Sequence, residues 1–486
     1  MPGVPDLTPP DAPSGPRPPL GPILRFRGTA PGRIRLAVTV AGPAPDGAGL
    51  SPLGALAGTP FHGAELDLPL AGGAARLPEG LRAALPMLPE TVHAPGPGGS
   101  LRLAFASCNG AEDEEGAAGV PGGRNALWRQ LAARHARAPF HLLVMGGDQV
   151  YADALWRLPS VAAWARLPRR ERLRAPMTEA MRGELEAHYL RTYATVFGSP
   201  EVAAMLAGIP SVMMWDDHDI VDGWGSRPAS WQAAPVPRGI FAAARRAFAL
   251  IQRGASPDAP GGFDWSGDLG PARIVVPDLR SARSRRRVMG PEGHAHLVRA
   301  LEGHGRAHAL VVSTVPLVNA DLSAVERLMT PLMPLADLYQ DDLRDQWMSH
   351  AHRAEWRAVM GRLLDASAAC RVSVLSGEIH LGAMGTATRG GARVDQFIAS
   401  GIAHPPPPAR LAALFGRFAS RTRARGDVGI EMAPLLPDGG RYVPERNWLE
   451  VAAHPGGALD VVLHAEVSGP IVLAGAPERR AGAAAR

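Results

Sequence analysis

The chain has 486 residues, 46% hydrophobic and 20% charged, with a formal net charge of +5 at pH 7. That length supplies a large core and suggests about two or three domains, and the balance excludes a disordered or fibrous chain. Cys108 and Cys370 are the whole cysteine complement, which excludes a disulfide framework, and no uninterrupted run of about 18 apolar residues offers a membrane span. All 51 basic residues are arginine. Together with abundant Ala, Gly and Pro this reads as a compositional bias toward GC-rich codons. Acidic and basic residues are mixed along the chain, so the basic pI is a weak signal for nucleic-acid binding.

In chain order, residues 1–20 form a Pro-rich tail expected to be disordered. The tail lacks a basic segment followed by an apolar one, so the default location is cytoplasmic. Residues 21–97 alternate short strand patterns, 23–27 and 34–40, with Gly/Pro turns, and predict a small β-sandwich-like domain. Residues 98–410 read as an α/β domain. The strand pattern 103–106 ends at Ser107-Cys108-Asn109, and an acidic run at 112–115 follows. A helical pattern at 125–137 and an apolar strand at 142–145 complete a βαβ unit, which places Cys108 and Asp148 at one sheet edge. Residues 154–208 are largely helical. Strand patterns recur at 211–215, 273–276, 309–314, 372–375 and 396–399, with helices over 241–251 and 341–364. Residues 411–486 read as a β-rich extension, about 448–473, and a tail.

Chemistry sits at four strand ends. The strand at 142–145 runs into Gly146-Gly147-Asp148, then Tyr151 and Asp153. Two glycines let the backbone approach closely, and a carboxylate at the C-terminal end of a buried strand is how an α/β sheet presents a site. The bland alternative is Asp148 as a helix cap. The strand at 211–215 runs directly into Asp216-Asp217-His218-Asp219. Carboxylates this close raise one another's pKa, and a bound cation removes the repulsion. Past the strand at 372–375, Glu378 and His380 can turn to one metal, and His is a common metal ligand. Cys108 stands at the fourth strand end, in a polar turn. Arg280 and Arg283, after the strand at 273–276, suit phosphate oxygens.

Ser107-Cys108, Gly147-Asp148-Gln149-Val150-Tyr151, Trp215-Asp216-Asp217-His218-Asp219 and Ser376-Gly377-Glu378-Ile379-His380 occur in the order of the calcineurin-like metallophosphoesterase blocks. Their form resembles the PhoD-like alkaline phosphatase branch. The resemblance spans about residues 100–405 and implies a four-layer α/β/β/α sandwich. It implies two metal ions, Fe(III) and Ca(II) or another divalent ion. Asp148 would bridge them, Cys108 and Tyr151 would bind the ferric ion, and Asp217, at the superfamily's Asn position, would hold the second. Glu378 and His380 would complete the set, with Glu378 replacing the family's Asp. His218 would serve the leaving group, and Arg280 or Arg283 would hold the phosphate. The activity implied is hydrolysis of a phosphomonoester or phosphodiester by metal-bound hydroxide. Nucleic acid enters only as a possible substrate, no membrane partner is expected, and the oligomeric state is open. Two other classes remain open: an inactive metal-binding interaction module, and an arginine-rich nucleic-acid-binding protein whose affinity would fall steeply with salt.

Overall fold

The computed structural model describes residues 20–111, 122–319, 346–410, 412–413, 416 and 423–475. The Pro-rich tail short of Leu20, the acidic run at 112–115, residues 341–345 and the tail beyond 475 lie outside the described residues.

Antiparallel strands β1 (Leu20–Ala30), β2 (Arg33–Ala41), β3 (Ser51–Leu56) and β4 (Thr59–Pro69) open the chain. A ribbon of β5 (Ala74–Arg76) and β6 (Thr91–His93) follows. Next come β7 (Leu101–Ala106), β8 (Leu142–Gly146) and β9 (Ser211–Met214), which are parallel neighbours. The first crossover is the helix Ala126–Arg137. Every residue of β8 and β9 is buried, as parallel strands covered on both faces require.

A second sheet is built from β10 (Trp265–Leu269), β11 (Ala272–Val276), β12 (His308–Ser313), β13 (Arg371–Ser376), β14 (Gly382–Arg389) and β15 (Ala392–Ile398), joined by β16 (Arg423–Arg425), β17 (Val428–Met432) and β18 (Tyr442–Val443). The chain closes with β19 (Asn447–Ala453), β20 (Leu459–Ala465) and β21 (Gly469–Ala474). The first sheet has the order β21-β20-β19-β7-β8-β9-β1-β2-β4-β3, and the second runs β10-β11-β12-β13-β15-β14-β17-β16 with β18 on β14.

Side-chain alternation makes the layers. Ile274, Leu310, Val312, Leu375 and Phe397 of the second sheet share one core with the first sheet. Their neighbours Val275, Ala309, Val311, Val372 and Val374 face the other way, onto Leu297 and Ala300 of the helix Pro291–Leu301 and Trp356, Val359 and Leu363 of the helix Arg353–Ala366. Successive strand residues point to opposite faces, so each strand is apolar on both. Leu127, Trp128 and Leu131 of the helix Ala126–Arg137 and Val202 and Leu206 of the helix Pro200–Gly208 join the core of the first sheet. The result is the expected mixed α/β architecture of two large sheets with helices.

Two details differ from expectation. The strands of 21–97 do not stand apart as a sandwich-like unit. Strands β1 to β4 extend the first sheet, because Arg25 of β1 lies in parallel register beside Ser211 of β9, while β5 and β6 form a ribbon of their own. Apart from partial exposure at a few positions, β1 is buried along its length, and alternation alone cannot tell an added strand from a separate sheet. In the described part of the helix expected over 341–364, residues 346–349 are not helical, a 3-10 turn spans His350–His352 and the α-helix runs Arg353–Ala366. Before it, Trp347 is buried with its Nε1 donating to Ser313 Oγ, and the His352 ring engages Ser349 Oγ and the Gln346 carbonyl. Side-chain bonds to these nearby groups compete with helical continuation. Among the described residues no helix is long and apolar enough to cross a membrane.

The C-terminal strands seal the far edge: β19 pairs antiparallel with β7, setting Glu450 opposite Ala104. Glu450 is 8% exposed. Its Oε1 accepts from Arg102 Nε and Nη2 at 2.8 and 2.6 Å, and its Oε2 from Arg134 Nη2 at 2.7 Å and His464 Nε2 at 3.0 Å. Burial alone would raise its pKa. The hydrogen bond from His464, the charge and hydrogen bond of Arg102 and the hydrogen bond from Arg134 outweigh burial and bring it from 4.5 down to about 2. A folded value below the unfolded one gives stability that is present above pH 4.5 and lost as pH falls toward 2. At 1.36 kcal/mol per unit this is roughly 3 kcal/mol. Glu450→Gln is therefore expected to lower the urea unfolding free energy by about that amount at pH 7, and the difference from wild type should vanish near pH 2.

Candidate metal centre

The ends of β7, β8, β9 and β13 meet at one edge. The Cys108 amide donates to the Gly147 carbonyl at 3.1 Å and the Asn109 amide to the Asp148 carbonyl at 2.7 Å, so the first two loops are zipped together. Gly147 has φ +105, and a Cβ there would lie 2.9 Å from both Asp216 and Thr314. The described non-glycine residues with left-handed backbone are Ala57, Cys108, Asp148, Glu378 and His380. All but Ala57 belong to the site. Such conformations cost of order 1–3 kcal/mol each and persist where the surroundings impose them.

The loops bring two groups of donor atoms together. Cys108, Asp148 and His380 form one, and Asp148, Asp217 and His218 the other, each with mutual distances within 4.8 Å. Asp148 is common to both. Its Oδ2 lies 3.6 Å from Cys108 Sγ, and its Oδ1 is buried with no hydrogen-bond partner among the described residues. The Tyr151 hydroxyl is 3.0 Å from His380 Nε2, which sets the phenol beside the first group. Its ring packs against His218 with centroids 4.2 Å apart.

Without a cation this cluster is electrostatically costly. Burial pushes the Asp148 carboxyl well up, as do Asp216, Asp217 and Asp219, against an opposing contribution from His218. Burial and then Asp148 raise the Cys108 thiol, against hydrogen bonds from Ser400 and Ser107. Burial, His404 and then His218 hold His380 well below the usual imidazole range. Burial also raises Asp219 to about 7. A carboxylate oxygen with no partner, a thiol and a neutral imidazole around one point are what a bound cation would satisfy. The residues present fit a metal.

Other candidate residues take more specific places. Arg280 is fully buried, and its Nε donates to Asp216 while Nη2 lies 3.4 Å from Asp217 Oδ1. It therefore balances the charge of the Asp216-Asp217 loop. Arg283 is 4% exposed, and its side chain crosses Gly225 so closely that a Cβ there would collide with it. Glu378 stands outside both donor groups: Gln346 Nε2 donates to its two oxygens at 3.0 and 2.9 Å. Asp219 accepts from the Gln149, Val150 and Asp216 amides and from Gln252 Nε2, which braces two of the loops.

Several contributors lie outside the motifs that carry the resemblance. Asp153, two residues past Tyr151, is one. Its Oδ2 lies 2.6 Å from His218 Nδ1, and its Oδ1 accepts from the Asp222 amide. Burial would lower the His218 pKa, but Asp153, Asp217 and Asp148 outweigh it and raise the value well above the ordinary one. Ser400 Oγ is 3.1 Å from Cys108 Sγ and accepts from the His380 amide at 2.8 Å. His404 stacks on His380 with centroids 3.5 Å apart. Ser400 directly follows the strand pattern at 396–399, whereas His404, before a run of prolines, carries no local signal.

The chain is similar to known proteins in sequence and in fold. A family model described as PhoD-related phosphatase matches residues 104–335. The chain is similar to an uncharacterized protein, YGR266W, of Saccharomyces cerevisiae, at 23% identity over 54% of this chain and 47% of that protein, so the match spans about half of the relative's length. Among solved structures it is similar to PhoD, at a TM-score of 0.55 and 14% identity, covering 96% of this chain and 95% of the other. A purple acid phosphatase from yellow lupin (Lupinus luteus) seeds aligns over 93% and 72% of the two chains, at a TM-score of 0.46 and 12% identity. The strand-end motifs at 107–108, 147–151 and 215–219 lie in the stretch 104–335 that matches the PhoD-related phosphatase model, and the fold is similar to that of PhoD.

Proposed function

We propose that the protein is a metal-dependent phosphoester hydrolase with a dinuclear centre. The observation that carries this reading is Asp148, a buried carboxylate shared by two groups of donor atoms and holding an oxygen without a partner among the described residues. Cys108, Tyr151 and His380 would hold one ion with Asp148, and their thiolate and phenolate suit Fe(III). Asp217 would hold the second with Asp148, and an oxygen-rich set suits Ca(II) or another divalent ion. Glu378, which accepts from Gln346 Nε2, would complete the set. When bound, such ions polarise phosphoryl oxygens and make water a nucleophile near neutral pH.

The chain's own residues supply the rest. His218, charged and held at Nδ1 by Asp153, presents its other ring nitrogen as a donor to the departing oxygen. Arg280 offsets the charge of the Asp216-Asp217 loop and so holds that loop in place, and Arg283 would supply positive charge to the phosphate. Buried walls around Cys108 and Asp148 limit water and strengthen each of these charge interactions.

Purified protein should hydrolyse p-nitrophenyl phosphate, bis-p-nitrophenyl phosphate or both, and lose that activity in chelator. The ratio of the two rates assigns monoester or diester preference. Inert protein after addition of iron and calcium would remove the hydrolase reading in favour of a binding module.

A further inference from the structure

His380 is not held as metal-binding imidazoles ordinarily are. The ring nitrogen turned away from the ion usually bonds a carboxylate, a backbone carbonyl or water. Among the described residues neither a carboxylate nor a carbonyl bonds the His380 ring, whose hydrogen-bond partner is the Tyr151 hydroxyl, at Nε2. The His380 amide donates to Ser400 Oγ at 2.8 Å, which fixes the main chain and not the ring. What lies on the ring is another ring. His404 stacks on it with centroids 3.5 Å apart and planes 20° apart.

Further contacts tie His404 to the same donor group. Its ring lies 5.2 Å from that of Tyr151, at 28°. Its amide donates to the Cys108 carbonyl at 3.1 Å, and the Ile402 amide donates to the Ser107 carbonyl at 3.1 Å. The turn between β15 and His404 is closed against β19. The Ser400 amide donates to Asn447 Oδ1 at 3.1 Å, and the Asn447 amide donates to the Gly401 carbonyl at 3.2 Å. Gly401 has φ +90, and a Cβ there would lie 2.7 Å from the His404 carbonyl oxygen, so this turn needs glycine. On the other side, His404 Nδ1 is 2.7 Å from the Pro405 carbonyl oxygen. A carbonyl only accepts, so Nδ1 carries the hydrogen. Proline fixes φ at about −65°, so the run from Pro405 to Pro408 stiffens the chain that leaves the site.

His404 thus meets Cys108 through its amide, and Tyr151 and His380 through its ring. We propose, resting on the two-metal reading of the site, that His404 is a positioning residue. Its ring sets the planes of His380 and Tyr151 so that their donor atoms, with Cys108 Sγ, face one ion, and it acts through them without binding the ion itself. His404 stands outside both groups of candidate donor atoms. An imidazole or phenol that turns about its side-chain bonds carries its donor atom off the ion. The stack therefore does for His380 what a carboxylate or carbonyl does elsewhere, and removing such a support typically costs about 10–100-fold in metal affinity. The competing role is a ring that only fills space.

Iron-loaded full chain dialysed against graded nitrilotriacetate gives the iron affinity, and the visible absorption of phenolate and thiolate on Fe(III) reports the ligand geometry. His404→Ala should bind iron roughly 10–100-fold more weakly, with a shifted band. His404→Phe, which keeps a flat ring without a nitrogen, should retain the wild-type affinity and band. Wild-type affinity and band in His404→Ala would overturn the proposal and leave the ring a packing residue. A loss in His404→Phe as large as in His404→Ala would overturn it in favour of a direct ligand. A wild-type chain that takes up no iron would remove the two-metal reading, and the proposal with it. If His404→Ala does not fold, His404→Phe still decides: retained affinity and band support the proposal, and weakened iron binding overturns it.

Discussion

Asp148→Asn is expected to lose bound metal and to lower phosphoester turnover roughly 1,000-fold or more, because metal-ion stabilisation of the transition state supplies several kcal/mol. Asp148 alone belongs to both donor groups. Asparagine keeps its shape but removes the charge and one of the two carboxylate oxygens. The same substitution should have the opposite effect on the metal-free fold. Burial and the neighbouring Asp216, Asp217 and Asp219 disfavour the Asp148 carboxylate, and a neutral amide removes that penalty. In chelator the variant should therefore melt above wild type. With metal restored, wild type should overtake it. Melts in both conditions check this crossing. A variant that keeps both metals refutes the shared-ligand role.

His218→Asn is expected to slow an alkyl phosphoester roughly 100-fold while changing p-nitrophenyl phosphate little, since general acid catalysis is worth about 10²–10⁴-fold and a nitrophenolate leaves without a proton. His218 keeps its charge despite burial because Asp153 lies 2.6 Å from Nδ1, with Asp217 and Asp148 close by. Asp153→Asn should follow the same leaving-group pattern more weakly, with metal content unchanged. Comparison of kcat for the two esters is the check. An equal loss on both would move His218 from proton donation to metal binding.

Much of the site was legible because its chemistry is local. Cys108, Asp148, Asp217 and His380 stand within a few residues of the C-terminal ends of apolar strands, and a buried parallel strand delivers its next residues to the sheet edge. Tyr151 and His218 are reached from the same loops. The supporting contacts were not legible, because they join distant segments. Gln346 meets Glu378, and Arg280 meets Asp216, across loops whose approach depends on the packing of both sheets. His404 meets His380 for the same reason. The fold shows the same division. The βαβ unit of β7 and β8 follows from hydrophobic pattern and crossover handedness. The joining of β1 to β9 is a choice between two ways of covering similar strand edges, which local pattern leaves open. The start of the helix at Arg353 was set by side-chain hydrogen bonds that periodicity does not register.

The central claim is that the buried cluster around Asp148 is a two-metal phosphoesterase centre. Elemental analysis of the purified chain, titrated with iron and calcium while hydrolysis is followed, tests it most directly. The predicted result is two ions per chain, with activity rising in step with occupancy and both lost in Asp148→Asn. A chain that binds no metal, or that hydrolyses phosphoesters at an undiminished rate without it, would contradict the claim.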